Sequence, residues 1–295
     1  MTKLEELIYE LCPDGVEYVK IKDYFIRLKG TPITAAKMKE IASNDGEIKV
    51  FAGGKTVINA YEKDIPKANI TRVPAVLVQS RGVIDVVYYD NPFTFKNEMW
   101  AYTHNEQTTV KYLYYFLSTQ VNKMRESASG MGSLPQISLK VTEEMQIPLP
   151  PLSIQSEIVH ILDSFTLLTA ELTAELTARQ KQYAFYRDYL LDFSNEDVTK
   201  KIPDIDCSNV EYKRLGNIAI IERGKRVVRN DLSQETGYPV YQNALKPLGY
   251  YTDKNRNANS VFIIGAGAAG EIGYSYVDYW AADDCFTFVC DDKLN

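Results

Sequence analysis

The sequence predicts an α+β protein with three parts: a globular mixed module, a long coiled-coil-type helix, and a partial second copy of the module. Three observations carry that reading. A helix-forming segment at about 153–193 follows the proline-rich run Ile147-Pro148-Leu149-Pro150-Pro151-Leu152. The stretches on either side of it share an ordered set of weak matches. Short apolar runs broken by Gly, Pro, Asn and Asp recur in both stretches, without a regular strand–helix alternation. The expected divisions are 1–150, 151–195 and 196–295. Holding two similar modules apart suits a recognition protein better than a single-pocket enzyme.

In the first stretch, periodicity predicts helices at 2–11, 34–42 and 109–125 and strands at 48–51, 74–80 and 83–89. In the last stretch it predicts strands at 238–241 and 259–264. The matches between stretches keep one order. Cys12-Pro13-Asp14-Gly15-Val16-Glu17-Tyr18 opens the first and Cys207-Ser208-Asn209-Val210-Glu211-Tyr212 the second. Val76-Leu77-Val78-Gln79-Ser80-Arg81-Gly82 then corresponds to Val261-Phe262-Ile263-Ile264-Gly265-Ala266-Gly267. Asn97-Glu98-Met99-Trp100-Ala101 corresponds to Asp283-Asp284-Cys285-Phe286-Thr287. A repeat of this kind signals two copies of one domain. The helix at 109–125, the Gly/Ser loop at 127–133 and the proline lead-in have no counterpart after Cys290, so the second copy is expected to be partial.

The spacer carries apolar residues at Ile154, Ile158, Ile161, Phe165, Leu168, Leu172 and Leu176, continued less regularly by Tyr183, Tyr186 and Leu190. Steps of three and four place them on one stripe, like a coiled-coil seam. Pro150 and Pro151 end the preceding segment, and Ser153 is the expected helix cap. About 40 residues at 1.5 Å each would span roughly 60 Å. A core helix of an ordinary bundle is the plainer alternative. The stripe predicts either self-association or a docked partner, because exposed apolar surface promotes association.

The chain has 295 residues, 45% of them hydrophobic, which is enough for two cores. No run of 18 apolar residues exists and the N-terminus lacks a signal-peptide pattern, so the expectation is a cytoplasmic protein without a membrane span. Four scattered cysteines and two histidines predict reduced thiols and no metal site. The net charge of −6 argues at first against a nucleic-acid partner. Its distribution removes that argument. Residues 1–150 are neutral (18 basic, 18 acidic), residues 151–206 hold 5 basic and 10 acidic side chains, and residues 207–295 hold 10 and 11. Most of the negative charge therefore lies on the spacer.

The run from Ile147 through Pro150, Pro151, Gln155 and Ile158 to Asp163 resembles the entry to the spacer helix of type I restriction–modification specificity subunits. The run Arg179-Gln180-Lys181-Gln182-Tyr183-Ala184-Phe185-Tyr186-Arg187-Asp188-Tyr189-Leu190-Leu191 resembles the end of that helix. The resemblance implies that each module is a target-recognition domain reading one part of a split sequence in double-stranded DNA. It implies that the spacer sets the gap and docks methyltransferase subunits, with the motor/endonuclease subunit joined indirectly. It implies no catalytic residue and no cofactor in this chain. S-adenosylmethionine would sit on the modification subunits, and ATP with Mg on the motor subunit. The missing end of the second module departs from the pattern.

DNA contact needs donors to phosphate and side chains that reach base edges. In the first module the candidates are Arg27, Lys29, Thr31, Lys55, Gln79 and Arg81, with Gly82 permitting close backbone approach, then Lys123 and Arg125. In the second they are the basic cluster Arg223, Lys225, Arg226 and Arg229, and the amides Gln242 and Asn243. The alternative for each is a solvated surface side chain. Three other readings compete. Gly265-Ala266-Gly267-Ala268-Ala269-Gly270 after an apolar run has the form of a dinucleotide fingerprint, but its sequel reads as strand or turn, where the fingerprint needs a helix. Asp90-Asn91-Pro92-Phe93 only partly matches an adenine-methyltransferase motif and reads as a turn. A coiled-coil adaptor binding peptides and not DNA is the remaining alternative.

Overall fold

The computed structural model describes residues 2–130, 134–192 and 211–290. The sequence-matched opening at 207–210, the loop end at 131–133 and the spacer end at 193 lie outside these. The chain packs as two compact units, residues 1–183 and 184–295.

The first unit opens with α1 (Lys3–Leu11), which Thr2 starts through a reciprocal cap with Glu5. Then follow β1 (Tyr18–Lys20), α2 (Ile21–Tyr24), β2 (Ile26–Leu28), α3 (Ala35–Ile41), β3 (Ile48–Phe51), β4 (Val57–Ala60), β5 (Ala75–Gln79), β6 (Asp85–Tyr89), β7 (Phe93–Phe95) and β8 (Trp100–Thr103). After them come α4 (Gln107–Glu126), α5 (Leu139–Glu143), β9 (Gln146–Pro148) and α6 (Leu152–Leu191). The expected helices and strands all form, and the α+β class holds.

Four strands form one sheet in the order β2-β8-β5-β6, and three form a second in the order β4-β3-β7, with β3 and β7 parallel. Alternation divides the apolar residues of β5 between two layers. Ala75 and Leu77 pack with Phe51, Phe93, Phe95 and Met99 between the sheets. Val76 and Val78 face the other way, against Val110, Leu113, Leu117, Val121 and Met124 of α4. The spacing of those α4 residues makes one helical face. Helix α3 closes the outer side of the smaller sheet through Met38 and Ile41. The module is thus four layers deep: α4, sheet, sheet, α3.

The second unit repeats this plan. It contains β10 (Ala219–Arg223), β11 (Tyr238–Tyr241), β12 (Tyr250–Tyr251), β13 (Ser260–Ile264), β14 (Ile272–Ser275), β15 (Trp280–Ala281) and β16 (Cys285–Cys290). The sheets run β10-β16-β13-β14 and β12-β11-β15, again with one parallel pair, β11 with β15. Strand for strand, order and direction match the first module. Gly30 and Gly224 occupy the same place: a Cβ would meet the Phe95 carbonyl oxygen at 2.3 Å in one and that of Ala282 at 2.0 Å in the other.

Helix α6 is rooted in the first module. Ile154 and Val159 are buried, and Ile158 packs against the core shared with α4. Asp163 accepts bonds from Lys111 Nζ and Tyr115 OH, both at 2.6 Å. Two expectations change here. The Pro151 carbonyl takes the first helical hydrogen bond and the helix begins at Leu152, so Ser153 lies inside the first turn and is not its cap. Ile154 serves the first module's own core and is not open to a partner. From Phe165 onward the stripe of Leu168, Leu172, Leu176, Tyr183, Tyr186 and Leu190 is exposed.

Gly224→Ala should destabilise the second module by more than about 1 kcal/mol, since the backbone there has to move, and leave the first module's melting unchanged, as read by residue-resolved hydrogen exchange. Burial raises the Asp163 pKa, but its bonds from Lys111 and Tyr115 outweigh burial and hold the carboxyl below its ordinary range. A depressed carboxyl stabilises the fold above its unfolded pKa and loses that contribution as pH falls through the folded one. Protection of 154–163 should therefore be flat from pH 8 to pH 5 and decline only below about pH 4. The loss should stay within about 1 kcal/mol because the pair is partly solvated.

Candidate nucleic-acid interface

In the first module the turns after β3 and β5 touch each other. The Gly54 N–H donates to the Arg81 carbonyl at 3.2 Å, and the Gly82 N–H to that of Pro135 at 2.9 Å. Gly54 and Gly82 have φ of 72° and 79°, a left-handed backbone that glycine adopts without strain. Gln136 pairs with both Arg81 and Ser129, which brings residues 127–130 and 134–137 to the same place. The three segments form the floor of a cleft of about 410 Å³, walled by Met38, Lys39, Arg81, Lys96, Glu98 and Leu134. A second cleft of about 570 Å³, on the other side of Glu98, is bordered by Arg27, Lys29 and Trp100.

Four of the sequence-predicted residues thus line or adjoin this region: Arg27, Lys29, Lys55 and Arg81. Lys29, Lys55 and Arg81 are exposed and form no ion pair with a described residue. Arg27 is held by Glu143 at 3.2 Å. Lys123 and Arg125 lie on the last turn of α4, where Arg125 Nε donates to the Ile84 carbonyl at 3.1 Å and braces the 81–84 turn. Lys39 and Lys96 also reach the first cleft, although their spacing in sequence gave no sign of it. Lys96 is paired with Glu98 at 2.9 Å.

Two candidates prove to be interior. Thr31 is buried, shares a hydrogen with Thr94 Oγ1 at 2.7 Å and accepts from the Asn69 N–H at 2.9 Å. It ties the chain after β2 to β7 and cannot present its hydroxyl to DNA. Gln79 is buried at the end of β5, whose strand is covered on both faces, so it is no base reader in this fold. Apolar strands often end in a polar residue, and sequence alone does not show on which side of the surface it falls.

The second module builds the same junction. The Ala268 N–H donates to the Asn243 carbonyl at 3.0 Å, and Gly267, at the position of Gly82, has φ of 82°. A Cβ there would lie 2.7 Å from the Asn243 carbonyl oxygen. The run 265–271 is therefore a turn in the β13–β14 hairpin, with no helix to receive a pyrophosphate. Asn243 is exposed, while Gln242 is half-buried and donates to Asp283 at 3.3 Å. Arg223 stands at the position of Lys29, with Nε on the Asp283 carbonyl and its guanidinium 6.0 Å from the Phe286 ring centre. Lys225, Arg226 and Arg229 are exposed with no ion pair to a described residue.

Burial pushes the Cys285 thiol up to about 12, which keeps it protonated and inert. Among the described residues, no group of three or more His, Cys, Asp or Glu side chains could hold a metal ion. None of the described helices is long and apolar enough to cross a membrane.

Comparison with known proteins places this geometry. The family described as the type I restriction modification DNA specificity domain matches the chain twice, over residues 13–179 and 207–295. A protein of Mycoplasma pneumoniae described as a type I specificity subunit is 29% identical over 293 residues, covering 94% of this chain and 74% of the relative. The specificity subunit of the Escherichia coli EcoR124I/EcoR124II enzymes is 36% identical over 179 residues, 58% of this chain and 41% of that protein. The crystal structure of a type I restriction–modification S subunit from M. genitalium shares the fold, with a TM-score of 0.67 at 19% identity over 95% of this chain and 74% of that one. Both modules, with the helix between them, thus identify the chain as a member of the type I restriction–modification specificity-subunit family.

Proposed function

We propose that this chain is the sequence-reading subunit of a type I restriction–modification assembly. Each module contacts one part of a split duplex target, and α6 docks methyltransferase subunits along its exposed stripe. One observation carries the reading. Two modules matched by one family each set two turns against each other, and each carries exposed cations that have no acidic partner among the described residues. Unpaired cations are what phosphate contacts require, and close turns let the backbone approach a groove. The reading gives the chemistry to other subunits: S-adenosylmethionine on the methyltransferase, ATP and Mg on the motor, which joins through it. This chain contributes position alone.

The turns carry different side chains in the two modules. Arg81 stands where the second module has Ala266. On this reading the modules share a scaffold and differ in the bases they accept. Arg81 is the residue suited to guanine, whose major-groove edge takes a bidentate arginine.

In a complex reconstituted with its methyltransferase, Arg81→Ala should cost about 1–3 kcal/mol on the cognate duplex and relax one base position. Lys55→Ala, Arg226→Ala and Arg229→Ala should weaken all sequences alike, each lowering the slope of log affinity against log salt by about 0.9. Anisotropy titrations at several salt concentrations measure both effects. Mapping of methylated adenines should return a split motif. A palindromic motif would mean that two copies read with the first module alone. Salt-independent, negligible duplex affinity would favour the peptide-binding adaptor.

A further inference from the structure

The two clefts of the first module hold one acid among their cations. Lys39, Arg81 and Lys96 line the first and Arg27 and Lys29 the second, while Glu98 stands on the wall that both share. A carboxylate there weakens attraction for phosphate, so its presence needs a separate cause. The turn that carries it does not depend on its side chain. The Lys96 N–H donates to the Phe51 carbonyl and the Met99 N–H to the Lys96 carbonyl, both at 3.0 Å. The buried Ser80 hydroxyl donates to the Glu98 carbonyl. These bonds fix the backbone and hence the direction in which the side chain leaves it. Oε1 meets Lys96 Nζ at 2.9 Å, and no donor among the described residues reaches Oε2. A partly exposed ion pair of this kind adds little stability.

The second module repeats the turn at 282–285. The Ala282 N–H donates to the Tyr241 carbonyl and the Cys285 N–H to that of Ala282, both at 2.9 Å. The Gly265 N–H, at the position of Ser80, donates to the Asp284 carbonyl at 2.7 Å. An acid, Asp284, again stands third in the turn. Ala282 takes the place of Lys96, so the acid is present here without that ion pair, and its partner is Arg223 at 3.9 Å. Holding a lysine at the first position of the turn is therefore not what the acid is for.

We propose that Glu98 is a specificity-determining residue, accepting a hydrogen bond from the 4-amino group of the cytosine whose paired guanine Arg81 takes. The assignment rests on the DNA-reading role proposed above and deepens it. In the major groove a G·C pair shows two acceptors, guanine N7 and O6, and then a donor, the cytosine amino group. Arg81 and Glu98, on one cleft, offer a fork of donors and an acceptor, which complements that order. An A·T pair puts thymine O4 where cytosine has its amino group, and that oxygen repels a carboxylate. Arginine alone can also bond the N7 of adenine. The acid supplies the repulsive element that turns a preference for guanine into rejection of A·T.

The test selects duplexes from a randomised pool with the full chain in complex with its methyltransferase, then measures affinities of the selected sequences. Arg81→Ala and Glu98→Ala should relax the same G·C position, each by about tenfold. Glu98→Ala should also raise affinity for unselected duplex and steepen the slope of log affinity against log salt by about 0.9, because Lys96 is released to phosphate. Glu98→Gln should admit adenine in place of that cytosine, since glutamine reads adenine. Lys96→Ala should leave the G·C choice intact. Replacing that cytosine by 2-pyrimidinone, which lacks the amino group, should cost the unaltered complex about tenfold more than it costs Glu98→Ala. Two results would overturn the assignment. One is a Glu98→Ala complex that gains affinity for every duplex and keeps its preference at each position, because the acid would then only hold Lys96 off the phosphates. The other needs no variant: 2-pyrimidinone at each selected cytosine in turn with no loss of affinity. An unaltered complex without salt-dependent duplex affinity would instead sink the DNA-reading role itself.

Discussion

A sheet that is apolar on both faces has to be covered twice, and most of this architecture follows from that requirement. Strand β5 is buried at all five positions. Its inward residues demand the smaller sheet and its outward residues demand α4. The same outward layer takes in Ile147 and Val159, so the root of α6 is fixed by the core and not by a flexible joint. Turns at the strand ends are then held where the cleft forms. The cleft is a by-product of closing the layers: strand ends have to turn, and they turn beside one another.

The larger elements were legible because their periodicities are clean. Helix α4 repeats apolar residues every three or four positions, and α6 does so over most of its length. The hairpin of β13 and β14 was legible by contradiction: Ile272, Tyr274 and the glycines around them cannot continue a nucleotide-binding fold. What stayed hidden is non-local. The parallel pairing of β3 with β7, and of β11 with β15, joins short strands far apart in sequence, and nothing in either strand announces its partner. Thr31 and Gln79 were misassigned for the same reason. Each is a polar residue two positions from an exposed cation in sequence, and only tertiary contact decides which of the two faces water.

Whole-chain charge was a poor guide to partners because it averages over parts with different tasks. The acidic excess lies between the modules, whereas cations without acidic partners lie on the modules, Lys55 and Arg81 of the first at its abutting turns. Ion pairs elsewhere show the contrast. Glu144 is held down to about 2 by Lys20 and Lys22, its hydrogen-bond donors. Those lysines are committed to joining β1 and α2 to the segment after α5, and their charge is already spent on that carboxylate. Counting lysines and arginines overstates the available positive charge; subtracting those already paired gives a truer picture.

Two modules of identical strand order on one polypeptide create a hazard during folding, since a strand from one could insert into the other. The interiors are keyed against this. Between the sheets of the first module, large Phe95 packs with Leu77; in the second, small Ala281 takes the place of Phe95 and large Phe262 that of Leu77. The volumes are compensated within each module and mismatched across them. Strand exchange would crowd two phenylalanines together in one hybrid and leave a void between leucine and alanine in the other, and both errors are penalised in close-packed interiors. The two copies thus share a strand order but not an interior, and the strands of one do not fit the core of the other.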